Sequence, residues 1–108
     1  MDYKYSLMFT ELADKQLDDI LYYIQNDLSN PKAATDLGRK IFSTLDNVRN
    51  FPQSGTIYDN VFVTDKTVRW IAVDNYTVYY KVDEDNKQII VICVIYSKRN
   101  IPEILNKI

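Results

Sequence analysis

No histidine occurs anywhere in this 108-residue chain. That absence excludes His-based catalytic triads and His-ligated metal sites. Any acid–base chemistry must fall to tyrosine, lysine, arginine or a carboxylate. Glycine is nearly as scarce: two residues, Gly38 and Gly55, are too few for a glycine-rich phosphate loop. The single cysteine, Cys93, cannot form an internal disulfide, which is consistent with a reducing cytosol. It sits in an apolar run and reads as a small buried hydrophobe. No apolar run approaches the length of a membrane span, and no secretory signal precedes the fold. A strong charge of either sign is missing too. Thirteen Lys/Arg against fifteen Asp/Glu leave −2, so the protein as a whole is not a polycation made for nucleic acid. What local basic character exists lies after residue 60, where seven Lys/Arg face six Asp/Glu.

What is present is a packed globule. Hydrophobic residues make up 46% of the chain, and its length suits one domain, residues 1–108. The richest stretch is the last third. Val68–Val73, Tyr76–Val82 and Gln88–Tyr96 are dominated by β-branched and aromatic residues. Asp74-Asn75 and Asp83-Glu84-Asp85-Asn86 separate them, so the three runs predict an antiparallel meander. On the first run Arg69, Ile71 and Val73 share one face, and Val68, Trp70 and Ala72 the other. A guanidinium on a half-apolar strand has two readings, an edge position with its head in water or an anion site on a concave sheet face.

Earlier in the chain, Tyr3-Lys4-Tyr5-Ser6-Leu7-Met8-Phe9 predicts a first strand with Tyr3, Tyr5, Leu7 and Phe9 on one face. Thr10 is placed as an N-cap, and Ala13, Leu17, Ile20, Leu21, Ile24 and Leu28 recur at helical spacing over Glu11–Asp27. Ser29-Asn30-Pro31 breaks and restarts the helix. Ala33, Ala34, Leu37, Ile41, Leu45 and Val48 then form the apolar face of a second helix, to about Arg49. The pair predicts an antiparallel hairpin. Within Thr56–Thr67, Val61-Phe62-Val63 reads as a short strand or a packed loop. The tail from Ile101 reads as a small helix or a frayed end. The order β-α-α-β-β-β defines an α+β fold, a small antiparallel-rich sheet with a two-helix hairpin on one face.

Several local features, taken in order, carry a resemblance over nearly the whole length. Ala13–Ile24, Asn30-Pro31-Lys32-Ala33-Ala34, Phe51-Pro52-Gln53-Ser54-Gly55, Val68-Arg69, Asn75–Tyr80 and Ile95-Tyr96-Ser97-Lys98-Arg99-Asn100 together resemble the RelE/ParE family of toxins from bacterial type II toxin–antitoxin systems. The resemblance implies a small cytoplasmic toxin neutralised by a cognate antitoxin encoded beside it. The complex commonly binds operator DNA through the antitoxin. RelE-like members enter the ribosome and cleave mRNA, whereas ParE-like members inhibit DNA gyrase and cleave no RNA.

The nuclease reading, a metal-independent endoribonuclease with no cofactor, needs a base, a phosphate stabiliser and an acid at one phosphate. Arg69 is the first choice for stabilising the phosphate. Arg99 and Lys98 follow at the end of the last strand, where the alternative is a surface pair meeting acidic residues of the antitoxin. Tyr96 stands where family members often carry histidine. As a base it requires cations to lower its pKa, and otherwise it is a packed strand-end tyrosine. Lys66 and Tyr80 are candidate RNA contacts, the latter by base stacking, although cross-strand packing is the commoner use of such a tyrosine. Tyr79 and Tyr80 alternate between faces, so at most one is expected to be buried. The nuclease reading is placed first and gyrase inhibition second. A third reading is an inactive member that only pairs with its antitoxin. Convergence of Arg69, Tyr96 and Arg99 in one pocket would favour the nuclease, and dispersion the other readings.

Overall fold

The computed structural model describes residues 3–58 and 67–98. Strand β1 (Ser6–Phe9) leads into helix α1 (Glu11–Tyr22), which loosens into a π turn over Tyr23–Asp27. Helix α2 (Pro31–Asn50) follows, then a 3₁₀ turn (Pro52–Ser54) and strand β2 (Thr56–Ile57). The meander is β3 (Val68–Val73), β4 (Tyr76–Asp83) and β5 (Gln88–Tyr96). The sheet order is β1-β5-β4-β3-β2, antiparallel except for the β1–β5 pair.

The helices start where side chains can take up orphan N–H groups. The hydroxyl of Thr10 accepts from the Ala13 N–H at 3.1 Å, and the Asn30 carboxamide accepts from the Ala33 N–H at 3.1 Å. Pro31 opens α2 at a position whose N–H has no helical acceptor. Ala13, Leu17 and Ile24 from the first helical segment and Ala34, Leu37, Ile41 and Leu45 from α2 close on Val73, Val78, Val91 and Val94 of the sheet. That layer is the main core.

Strand pairing fixes which side chains join it. Arg69 lies opposite Tyr80, Ile71 opposite Val78 and Val73 opposite Tyr76, so all six project toward the helices. A bulge shifts the β4–β5 register between Tyr79 and Tyr80, so that Tyr79 pairs with Cys93 and Tyr80 with Val91. The extra residue is Ile92. It lets Val91 and Val94 both face the helices although they are three apart.

Four expectations change here. The first strand begins at Ser6 rather than Tyr3. The Glu11–Asp27 helix is α only to Tyr22, because Leu28 N–H reaches back five residues to the Tyr23 carbonyl at 3.0 Å. A two-residue strand, Thr56–Ile57, joins the sheet edge by pairing with Arg69 and Trp70. And Tyr79 and Tyr80 are both buried, since a second apolar cluster of Tyr58, Val68, Tyr79, Ile92, Cys93 and Ile95 occupies the face away from the helices. A sheet lined with apolar side chains on both faces has no solvated side for either tyrosine. Val61–Val63 and the tail from Ile101 lie outside the described residues.

Beyond the end of β1, the outer edge of β5 is satisfied by side chains. The Thr10 hydroxyl donates to the Ile92 carbonyl at 3.2 Å, and the Val94 N–H donates to Gln16 Oε1 at 2.8 Å. Thr10 therefore ties the helix start to the bulge. Thr10→Val keeps the shape and removes the hydroxyl's bonds to the Ile92 carbonyl and the Ala13 N–H. We expect a loss of about 1–3 kcal/mol in urea unfolding with an unchanged slope; a loss below about 0.5 kcal/mol would show that the hydroxyl does not join helix to sheet.

Candidate functional site

The four described site residues, Arg69, Tyr80, Tyr96 and Lys98, sit around two places. The first is the turn after α2. There the Tyr80 hydroxyl donates to the Pro52 carbonyl at 2.8 Å and accepts from the Gly55 N–H at 2.9 Å. Arg69 Nη1 donates to the Gly55 carbonyl at 2.8 Å and reaches the Gln53 carbonyl at 3.5 Å. Both polar groups of Gly55 are thus taken, the N–H by Tyr80 and the carbonyl by Arg69. Ser54 closes the turn internally, its hydroxyl and its N–H both donating to the Phe51 carbonyl at 2.7 and 2.9 Å.

Gly55 is needed for space. Its φ of −80° suits any residue, but a Cβ there would lie 2.5 Å from the Tyr80 hydroxyl and 2.9 Å from the Trp70 carbonyl. Burial pushes the Tyr80 hydroxyl above the ordinary tyrosine pKa, opposed by the Gly55 N–H and by the Arg69 charge.

The second place is the far end of β4 and β5. Tyr96 is half-buried, edge-on to Tyr76 with ring centroids 5.7 Å apart. The Ser97 N–H donates to the Asn75 carbonyl at 2.8 Å, and the hydroxyls of Ser97 and Thr77 are 2.8 Å apart. Lys98 is exposed in the turn that follows.

Register measures the gap between the two places. Arg69 is opposite Tyr80, and Tyr96 is opposite Tyr76. Two strand spacings and four residues along β4 separate their Cα atoms by roughly 16 Å. The structure therefore brings Arg69 to Tyr80 and not to Tyr96. Arg99 and Lys66 lie outside the described residues. Tyr80 has no exposed surface and its hydroxyl is fully engaged, so its ring presents no face on which a base could stack. Among the described residues no cluster of three or more His, Cys, Asp or Glu is placed to hold a metal ion.

The sequence reading missed what Arg69 and Tyr80 share. The Pro52–Gly55 turn was visible, but its contact with residues 14 and 25 positions later was not. The usable signal was the glycine itself: one of only two in the chain, it stands just after a helix, where glycine marks either a left-handed cap or a close approach, and its φ of −80° leaves the close approach.

Two substitutions test this turn. Tyr80→Phe leaves the Pro52 carbonyl and the Gly55 N–H without their buried partner and should cost about 1–3 kcal/mol. A tyrosine whose folded pKa is raised favours the neutral form. Its contribution is complete below the unfolded value of 10.0 and is lost as pH rises through the folded value. Alkaline unfolding followed to pH ~12 should therefore show a smaller stability loss in Tyr80→Phe than in wild type; identical slopes would mean that Tyr80 ionises freely in the fold. Gly55→Ala should destabilise by at least about 2 kcal/mol through the clash with Tyr80 and Trp70, read as a drop in thermal midpoint.

Relatives bear on the whole arrangement. The family profile described as ParE toxin of the type II toxin–antitoxin system, parDE, matches residues 7–101. No curated protein sequence matches the chain. Among solved structures, the chromosomal ParDE toxin–antitoxin system of Pseudomonas aeruginosa aligns with TM-score 0.67 at 18% identity, over 90% of this chain and 100% of that one. The RelBE2 toxin–antitoxin complex of Mycobacterium tuberculosis gives 0.60 at 14% identity, over 89% and 94%. The isolated RelE toxin of Escherichia coli gives 0.56 at 18% identity, over 89% and 87%. At such identities the structural likeness speaks for the fold, and the profile match over most of the length speaks for the family. A helical hairpin laid on a five-stranded mixed sheet matches the fold of these toxin structures, and the chain belongs to the ParE toxin family of type II toxin–antitoxin systems.

Proposed function

We propose that this toxin acts by binding DNA gyrase rather than by cleaving RNA, and that a cognate antitoxin neutralises it in the cytoplasm. One observation carries the choice: Arg69 is bonded into the Pro52–Gly55 turn and Tyr96 stands roughly 16 Å from it along the sheet. RNA cleavage requires base, phosphate stabiliser and acid within reach of one phosphate. A binding inhibitor has no such requirement. The ParE profile supports the same branch of the family, since the resemblance attaches gyrase inhibition to ParE-like members. The antitoxin is supported by the relatives, whose solved forms include toxin–antitoxin complexes from Mycobacterium tuberculosis and Escherichia coli.

The competing reading, a ribosome-dependent endoribonuclease built on Arg69, Tyr96 and Arg99 with Lys98 and Lys66 on the RNA, makes opposite predictions. In matched bacterial cultures we expect induction of the wild type to arrest DNA synthesis first and to leave mRNA ends unchanged. Tyr96→Phe, which deletes only a hydroxyl, should stay toxic within about twofold, whereas removal of a general acid or base lowers a rate by roughly 10²–10⁴. New mRNA ends that vanish in Tyr96→Phe, with protein synthesis lost before DNA synthesis, would replace this reading with the nuclease.

A further inference from the structure

The tip of the helical hairpin is apolar and unpartnered. Tyr22 is 66% exposed, Tyr23 49% and Leu28 55%, three large side chains within seven residues. Helix geometry puts this tip at the end of a rail. Glu11, Asp14, Asp18 and Tyr22 follow one another at i, i+3, i+7 and i+11 along the exposed face of α1. The α1 helix packs through its other side, with Ala13 and Leu17 buried toward the sheet.

The rail is net negative, although Lys15 lies on the same face. Lys15 is paired with Asp19 at 2.7 Å, and Glu11, Asp14, Asp18 and Asp27 have no ion-pair partner among the described residues. Solubility alone is poorly served by placing two bare tyrosines and a leucine beside these acids. Exposed tyrosines rimmed by charge are a common composition of protein-binding hot spots. The π turn adds a second peculiarity. It inserts at Tyr23–Asp27, keeps Ile24 in the core and leaves Tyr22 and Tyr23 outside, with Asn26 Nδ2 bonded to the Tyr22 carbonyl at 3.1 Å. Such widened turns are less stable than α-helix and recur at functional sites.

We infer that the outward face of α1 and the Tyr22–Leu28 tip dock a cationic protein surface that carries apolar side chains, namely the face of the target that otherwise grips the DNA backbone. The inference rests on the gyrase reading above and gives it a location. Complementarity decides the occupant. Carboxylates spaced along a helix present negative charge to lysines and arginines arranged for phosphates, and they exclude nucleic acid from the same face. The tyrosines and Leu28 then supply the desolvated contact that charge alone does not. The Arg69 turn, on the opposite edge of the sheet, takes no part.

The test uses purified full-length toxin, purified DNA gyrase and relaxed plasmid. Tyr22→Ala/Tyr23→Ala and Asp14→Asn/Asp18→Asn alter exposed side chains only, so thermal midpoints should match the wild type. Each pair should raise the concentration for half-inhibition of supercoiling by about tenfold or more, while affinity for the cognate antitoxin stays within about twofold. Added salt should weaken the wild type more than the charge-neutral pair. Unchanged inhibition in both pairs overturns the assignment. Tenfold weaker antitoxin binding with unchanged inhibition also overturns it and makes the antitoxin the occupant. A wild type that leaves supercoiling untouched defeats the gyrase reading and this surface together, and is distinguished by wild type and variants being equally inert.

Discussion

A buried tyrosine hydroxyl needs both an acceptor and a donor, and Tyr80 finds both in one turn. Its ring lies in the core with Tyr5, Val48 and Ile89, and its oxygen bonds Pro52 and Gly55. Leaving either bond unmade in an apolar site would cost on the order of the hydrogen bond's full desolvation penalty. The turn therefore has little freedom to sit elsewhere. Its position places Gly55 under Tyr80, delivers Thr56 and Ile57 to the edge of β3, and gives Arg69 a carbonyl to bond. Helix α2, sheet edge and arginine strand are located by one side chain.

The β1–β5 side of the sheet obeys a comparable constraint. The bulge at Ile92 puts Val91 and Val94 on one face, but beyond Phe9 it leaves β5 without a strand neighbour on that side. Thr10 and Gln16 supply the missing partners from the start of α1. The N-terminal segment is fastened separately. Arg49 donates to the Tyr5 carbonyl at 3.0 Å and stacks on Tyr3, and the Tyr5 hydroxyl donates to Glu84, whose carboxylate is held below its usual pKa first by that bond and then by Lys87. Polar side chains thus close both of these places.

These links explain what was legible in the sequence and what was not. Period and capping chemistry are local, so both helices, their caps, the Asp74-Asn75 turn and the three long strands were readable from neighbours in the chain. Asp74 adopts φ 52°, a conformation its short polar side chain tolerates. Contacts between residues far apart leave no local mark. Alternation puts Tyr79 and Tyr80 on opposite faces, but it does not say that both faces are covered, and the burial of both followed from the second cluster around Cys93. The two-residue β2 is too short for any periodic signal. Arg69 was visible as an oddity on its strand, yet its partner, a carbonyl 14 residues earlier, became visible only through the register of β2 on β3.

The distribution of charge follows from the same packing and bears on how such a chain can act. On the arginine strand the guanidinium is turned inward to hold a turn, and in the Arg49 region another is turned onto the N-terminal segment. Each keeps its charge, but the N–H donors so used are taken from those available to a phosphate. The carboxylates of α1 are in the opposite situation, since a helix that buries only Ala13 and Leu17 must show most of its remaining side chains to water. On the gyrase proposal, a strand arginine bonded into a turn and a long acidic helix face beside bare tyrosines suit a basic protein surface better than an RNA strand. For a chain without histidine, recognition by shape and charge asks less of the residues it has than proton transfer does.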